Sequence, residues 1–455
     1  MATLLEREAI TADREEEVER TLDIAVVGSG IAGLGAAWSL AREHRVTVFE
    51  ADHRLGGHAH TVDVDDRSRT VAVDTGFIVY NERNYPNLVR LFEHLRVPTE
   101  RSDMSFSVSK GGGAFEYQAR AFGLLAQPTN LARRGYRRMV ADIVRFTREA
   151  PAAAWQRDGE TTRELLDRMA LSDEFRRDFL LPVIACIWSS SLEAMLDYPA
   201  RSMVAFLDNH GLLDGLQRPT WRTVTGGSRE YIQRMSASLG SGIRYGTPVE
   251  RIVRSSDDVA IYTAAGGAGV FDHVVLATHA DTSLRILGND ADPNEREVLS
   301  AFRYQRNVAV LHRDPSFMPT RRRAWSSWNY RSDERASDGS ERVSLSYWMN
   351  RLQNLRTDRP VIVTLNPARE PRWIERVETY HHPQFDAAAT VAHTRMPALQ
   401  GVRRTWFCGS YCGSGFHEDG LRSGLEVAAA LGSPAPWWTT SEPWPMPRVR
   451  ASIGA

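Results

Sequence analysis

The chain of 455 residues has a single lysine, Lys110, and its other basic side chains are arginines. Any chemistry that needs a lysine amine therefore has one candidate. Three cysteines, Cys186, Cys408 and Cys412, are too few for a disulfide framework, and the last two are spaced more widely than a C-x-x-C pair. They read as small buried residues in a reducing compartment. No apolar run is long enough to cross a bilayer. Residues 1–21 are acidic where a secretory signal would be basic and then apolar, so they read as an arm and the expected location is cytoplasmic. A formal charge of −1 argues against a nucleic-acid binder. No Ser/His/Asp or Cys/His set stands out, and His53, His58 and His60 lack a recognised ligand spacing, so no metal is expected.

What is present gathers between Asp23 and Gly57. Ile24 to Val27 is a short apolar run with the character of a buried parallel strand. Gly28, Ser29, Gly30, Ala32 and Gly33 follow at once, in the Gly-x-Gly-x-x-Gly pattern that brings backbone up to a pyrophosphate. A helix predicted from Ile31 to about Glu43 points its free N–H groups at that phosphate. A second strand, Val46 to Phe49, ends in Glu50 and Ala51, where a carboxylate can accept from both ribose hydroxyls and disfavours the extra phosphate of NADP. Arg54-Leu55-Gly56-Gly57 adds a second close backbone approach just beyond Glu50, which favours FAD over NAD.

Past this unit, residues 58–81 alternate as a hairpin ending in Asp74-Thr75-Gly76-Phe77-Ile78. With these residues the chain resembles the flavin amine oxidases and phytoene-desaturase-type enzymes, an α/β class of two-domain FAD-binding proteins with a Rossmann-like domain and a mixed α+β substrate domain. The resemblance implies that Gly56 and Gly57 lie at the FAD phosphates and that Gly76, Phe77 and Ile78 lie along the isoalloxazine. The family often has arginine where this chain has His58. Segments at 81–87, 102–108 and 185–189 also resemble the flavoprotein-like half of plant cyclopropane fatty acid synthases and its bacterial stand-alone relatives. That likeness implies a lipid-related substrate and a separate methyltransferase as partner.

From Asn84 to about Leu213 the pattern reads as helical. Leu88, Leu91, Phe92 and Leu95 form one apolar face, and Tyr136, Met139, Val140, Ile143 and Val144 another. Arg133, Arg134, Arg137, Arg138 and Arg145 mark the polar side of the second helix, either as solvated charges or as a contact for anionic headgroups. Trp188 and His210 face either a substrate cavity or the core. A helix from Ser228 to Leu239 precedes a strand from Ile243 to Val253, in which the resemblance sets Val249 against adenine. Thr278 would then lie near the pyrophosphate, while His279 has no assigned role. Asn307–His312, Val343–Trp348 and Val361–Leu365 suggest an antiparallel wall, with Trp325, Trp328, Tyr330, Tyr347 and Trp348 either as pocket lining or as aromatic core.

Near the end, Trp406 to Gly409 reads as a strand, and a helix starts near Glu418. In the resembled fold, Gly409, Ser410, Gly415, Phe416 and His417 meet the flavin, and the positive end of the helix faces the ring where charge gathers on reduction. The expected organisation has an FAD-binding domain from 22–83, 221–283 and 401–432, a substrate domain from 84–220 and 284–400, and a tail from 433. The expected function is FAD-dependent oxidation, with a hydride passing from a C–H of a hydrophobic, lipid-type substrate to flavin N5. Phe416, His417 and Trp188 are the catalytic candidates. The alternatives are a flavin amine oxidase, or an FAD-containing isomerase or scaffold for a lipid methyltransferase. Peripheral membrane contact through Trp437 and Trp438 is a further reading.

Overall fold

The computed structural model describes residues 21–67, 69–119, 123–188, 196–209, 212–213, 219–335 and 341–438. His210, together with the side chains of Cys186 and Trp188, lies outside what is described.

A five-stranded parallel sheet runs in the spatial order Ile243–Arg244, Arg45–Phe49, Asp23–Val27, His273–Leu276 and Thr405–Phe407. Ile24, Val26, Val48, Phe49, Val274, Val275 and Phe407 of its strands are buried, as expected of a parallel sheet covered by helices. The helix Ile31–Leu40 is buried along its whole length. It is covered by the final helix, His417–Ala430, which packs directly on it. Gly424 allows this contact, since a Cβ there would sit 2.1 Å from the Ala32 carbonyl oxygen. The start of the tail is tied to the same helix: Ser39 donates to the Ser433 carbonyl at 2.7 Å and Trp437 stacks on Trp38 at 5.6 Å. Trp437 is thus engaged with the protein.

The second sheet has seven strands, in the order Ile374–Gln384, Arg303–His312, Ile362–Leu365, Glu341–Trp348, Trp328–Arg335, Phe106–Lys110 and Phe115–Gln118. All neighbours are antiparallel except Trp328–Arg335 with Phe106–Lys110. Two of these strands correct the helical reading of residues 84–213. Phe106/Val108 and Phe115/Tyr117 alternate with period two, and Gly111, Gly112 and Gly113 turn the chain between them at positive φ. Against this sheet stand helices including Arg134–Ala153, Leu181–Trp188 and Ala200–Asn209, with their own core of Phe146, Phe175, Ile184 and Met203.

Two other expectations change, and one open alternative is resolved. Ile243–Val253 is not one strand: Ile243–Arg244 closes the parallel sheet and Val249–Arg254 belongs to a separate three-stranded sheet. Gly246 at φ +58° and Pro248, which lacks an amide hydrogen, break it. Val144, placed on the buried face from its spacing, is instead 62% exposed, and Phe146 and Ala150 fill that side. Trp325 and Trp348 pack edge to face at 5.3 Å in a small separate cluster, and Tyr330 is fully buried in the sheet core. No helix among the described residues is long and apolar enough to cross a membrane.

Candidate functional site

Two features meet along the Thr75–Ile78 segment: a glycine-walled groove on the parallel sheet and a large apolar cavity. In the groove, the first helix starts at Gly30 with no side-chain cap and no acid in its first turn, so its leading N–H groups have no side-chain acceptor. Gly33 is fixed by packing, because a Cβ there would lie 1.9 Å from the Gly28 carbonyl oxygen. Gly30 is different: a Cβ there would touch nothing within 4 Å. The opposite wall is Gly56, which bridges Gly30 and donates from its amide to the Ser29 carbonyl at 2.9 Å. Open space, bare glycine backbone and a helix N-terminus together fit a diphosphate.

Glu50 ends its strand with its carboxylate oriented by two backbone amides, those of Ser29 and Asp52, each at 2.8 Å. The Ser29 hydroxyl donates to the same carboxylate. This is the place and polarity needed for ribose hydroxyls. Ala51 is exposed beside it, and Leu55 packs partly against the core. Val249 is buried in the core of the small sheet. Thr278, at the end of His273–Leu276, shares a hydrogen bond with Ser283 at 2.8 Å.

His58 packs among other rings: Tyr380 at 5.0 Å, His382 at 5.5 Å and His279 at 6.2 Å between centroids. Desolvation, with neighbouring imidazoles and Arg54, pushes its pKa well down, so the ring is neutral. His382 lines the cavity and is pushed down to about 4 by burial. Its Nδ1 accepts from the Asn307 amide nitrogen at 2.8 Å, which leaves the proton on Nε2. The cluster therefore offers neutral hydrogen-bonding groups where the resembled family often has a cation.

The D-T-G segment is held from below. Asp74 accepts from the Thr61 hydroxyl at 2.6 Å, the Ser228 amide at 2.9 Å and the Gln353 side chain at 2.8 Å. Burial pushes its pKa up to about 6 against these bonds. Thr75 shares a hydrogen bond with the Tyr380 hydroxyl at 2.7 Å. Gly76 is packed on the His58 carbonyl, with no room for a Cβ.

The final helix brings Phe416 and His417 to the same place. Phe416 lines the cavity and stacks on Phe206 at 4.8 Å; His417 stacks on Phe77. Gly409 donates from its amide to Ser423 at 2.9 Å, Ser410 opens a short turn, and Gly415 lies against Phe385. Glu418 and Asp419 fill the first turn of this helix with buried carboxylates. Glu418 accepts from the Asn87 and Leu88 amides at 2.9 and 3.0 Å, which joins this helix to Pro86–His94. Burial pushes Glu418 up to about 7 and Asp419 up to about 6, and any charge they carry opposes the helix dipole.

The cavity, about 800 Å³, lies between the seven-stranded sheet and the helices, with Gly76, Phe77, His382 and Phe416 at its inner end. Trp328 and Tyr347 line it as expected. No carboxylate is among the described residues that line it, and the sole lysine is elsewhere, with Lys110 Nζ 2.9 Å from Asp178. The sequence reading missed His382, Tyr380, Asn307, Tyr231 and Gln353. The His381-His382 doublet, at the end of an otherwise alternating run, was the one local signal.

Comparison with known proteins places this geometry. A Mycobacterium tuberculosis protein named as a flavin-containing monoamine oxidase, AofH, is 28% identical over 261 residues, 54% of this chain and 55% of that one. The chain thus spans about half the length of the curated relatives it matches. Cyclohexylamine oxidase from Brevibacterium oxydans superposes over 90% of this chain and 99% of its own with a TM-score of 0.65 at 17% identity. A fatty acid isomerase from P. acnes that produces CLA superposes over 90% and 98% with a TM-score of 0.63, also at 17% identity. These two likenesses show the fold. The family model for flavin containing amine oxidoreductases matches residues 31–365, well over half of the sequence; the chain belongs to that family, and FAD is the cofactor its glycine groove fits.

Proposed function

We propose that this chain is an FAD-dependent oxidoreductase whose substrate is hydrophobic, with a lipid or fatty-acyl chain as the class that fits its cavity. The observation carrying this reading is the cavity itself: about 800 Å³ of space walled by side chains such as Val140, Ile143, Phe179, Phe206, Trp328 and Leu365. Bound FAD supplies a two-electron acceptor. The protein's part is to exclude water and to hold a chain with its reacting carbon at the inner end, beside Gly76, Phe77 and Phe416. Neutral His382 offers an N–H there without a fixed charge. The segments that resemble plant cyclopropane fatty acid synthases support the same substrate class, and with it a methyltransferase as partner.

A second reading, amine oxidation, is favoured by the family model and by the names of the curated relatives. Against it, a cationic ammonium would meet no carboxylate among the described residues of the cavity wall. Calorimetric titration of the FAD-loaded protein with fatty acids, acyl lipids and primary amines separates the two. Saturable binding of acyl chains alone supports the first reading; binding of amines alone replaces it with the second.

A further inference from the structure

The helix Arg134–Ala153 forms part of the cavity wall and part of the molecular surface. Val144 and Arg148 do both: each lines the cavity and each is exposed, so the cavity opens beside them. The helix and the turns that precede it also carry exposed apolar side chains that a water-facing surface does not need. Val144 is 62% exposed, Leu131 47% and Leu125 46%, the last two on the turns Pro128–Ala132 and Gly123–Leu125. Arg137 ties the first of these turns to the helix by donating to the Leu131 carbonyl at 2.7 Å.

Exposed charge along this helix is mainly positive, although Glu174 of a neighbouring turn packs beside Gly135. Arg133, Arg134, Arg137, Arg138 and Arg148 are exposed. Asp142 is turned inward to Ser172 and Arg145, and the helix's exposed acid, Glu149, pairs with Arg148 at 2.6 Å. Arginines set around exposed leucines and a valine match an anionic headgroup layer over an apolar interior, with each arginine near such a surface contributing attraction and each apolar side chain entering the acyl boundary.

We infer that this face docks on an anionic lipid bilayer, and that the cavity mouth beside Val144 and Arg148 receives its acyl substrate directly from that surface. The role given to the mouth rests on the acyl-substrate reading; the docking does not. Arginine positions the protein by charge, while Leu125 and Leu131 set the depth of entry. A long chain can then pass from bilayer to cavity with little exposure to water.

The test is sedimentation of the FAD-loaded full chain with vesicles of phosphatidylcholine alone or mixed with phosphatidylglycerol. Binding is expected to the mixed vesicles at low salt, with release at high salt. Arg134→Glu with Arg138→Glu is expected to keep the flavin content and circular dichroism of the parent and to lower partitioning about tenfold or more. Leu131→Ser is expected to weaken binding even at low salt. Equal partitioning into neutral and anionic vesicles, no binding to either, or a double variant that binds as the parent does would overturn the docking. Vesicle binding without any acyl-chain binding in calorimetry would leave the docking standing and remove the acyl reading. Acyl-chain binding without vesicle binding would do the reverse.

Discussion

The imidazole of His417 lies flat on the ring of Phe77, with centroids 3.8 Å apart and planes 8° from parallel. This contact joins the final helix to the D-T-G segment at the inner end of the cavity, and the Tyr231 hydroxyl fixes the imidazole at Nε2, 2.8 Å away. Desolvation pushes His417 down to about 3, so the ring is neutral at any working pH. His417→Ala removes the stacked ring and leaves the buried Tyr231 hydroxyl without this partner, a loss of about 1–3 kcal/mol in stability. Chemical denaturation of the FAD-loaded variant measures it. Flavin content is expected to hold while the visible spectrum or turnover changes; unchanged stability, spectrum and rate would remove His417 from the site.

Two glycines of one motif are expected to fail differently. Gly33→Ala forces a Cβ against the Gly28 carbonyl and disturbs the contact between helix and strand with or without nucleotide. Gly30→Ala meets only open groove, so the protein without cofactor should melt as the parent does, while its affinity for FAD falls. Thermal melting and FAD titration of both variants check this. A Gly30→Ala protein with undiminished FAD affinity would move the diphosphate elsewhere.

Glu418 gives a pH dependence with a definite sign. Its folded pKa, raised by burial to about 7, exceeds the ordinary glutamate value of 4.5, so the folded state holds the proton more tightly than the unfolded state. The stability from this group is fully present below the unfolded value and is lost as pH rises to about 7. Glu418→Gln cannot titrate. Its melting temperature is therefore expected to rise relative to the parent between pH 5 and pH 8, roughly the span over which the carboxyl ionises. Parallel melting curves across that range would contradict the burial argument.

The nucleotide groove was legible in the sequence because everything that makes it is local. Strand, glycine turn, helix and Glu50 all fall within one short stretch, and their order alone limits the topology. The ring cluster was not. Tyr380 and His382 reach the site because Ile374–Gln384 pairs with Arg303–His312, a register that sets Asn307 opposite Tyr380. Gln353 holds Asp74 from 279 positions away, with no motif to announce it. The exposure of Val144 also escaped periodicity, since helical spacing cannot separate a side chain facing the core from one facing a cavity mouth. The carboxylates at the start of the final helix are a different case. Glu418 and Asp419 were visible in the sequence, but their burial and their hold on Pro86–His94 are tertiary.

The central claim is that an apolar chain and the flavin share one site. Anaerobic mixing of the FAD-loaded protein with fatty acyl lipids of increasing length, and separately with primary amines, tests it through bleaching of the visible flavin band. The parent is expected to bleach with acyl lipids and not with amines, while Val140→Trp, which fills the cavity, should lose bleaching by the longer chains and retain its flavin. Bleaching by amines with no response to any acyl lipid would contradict the account.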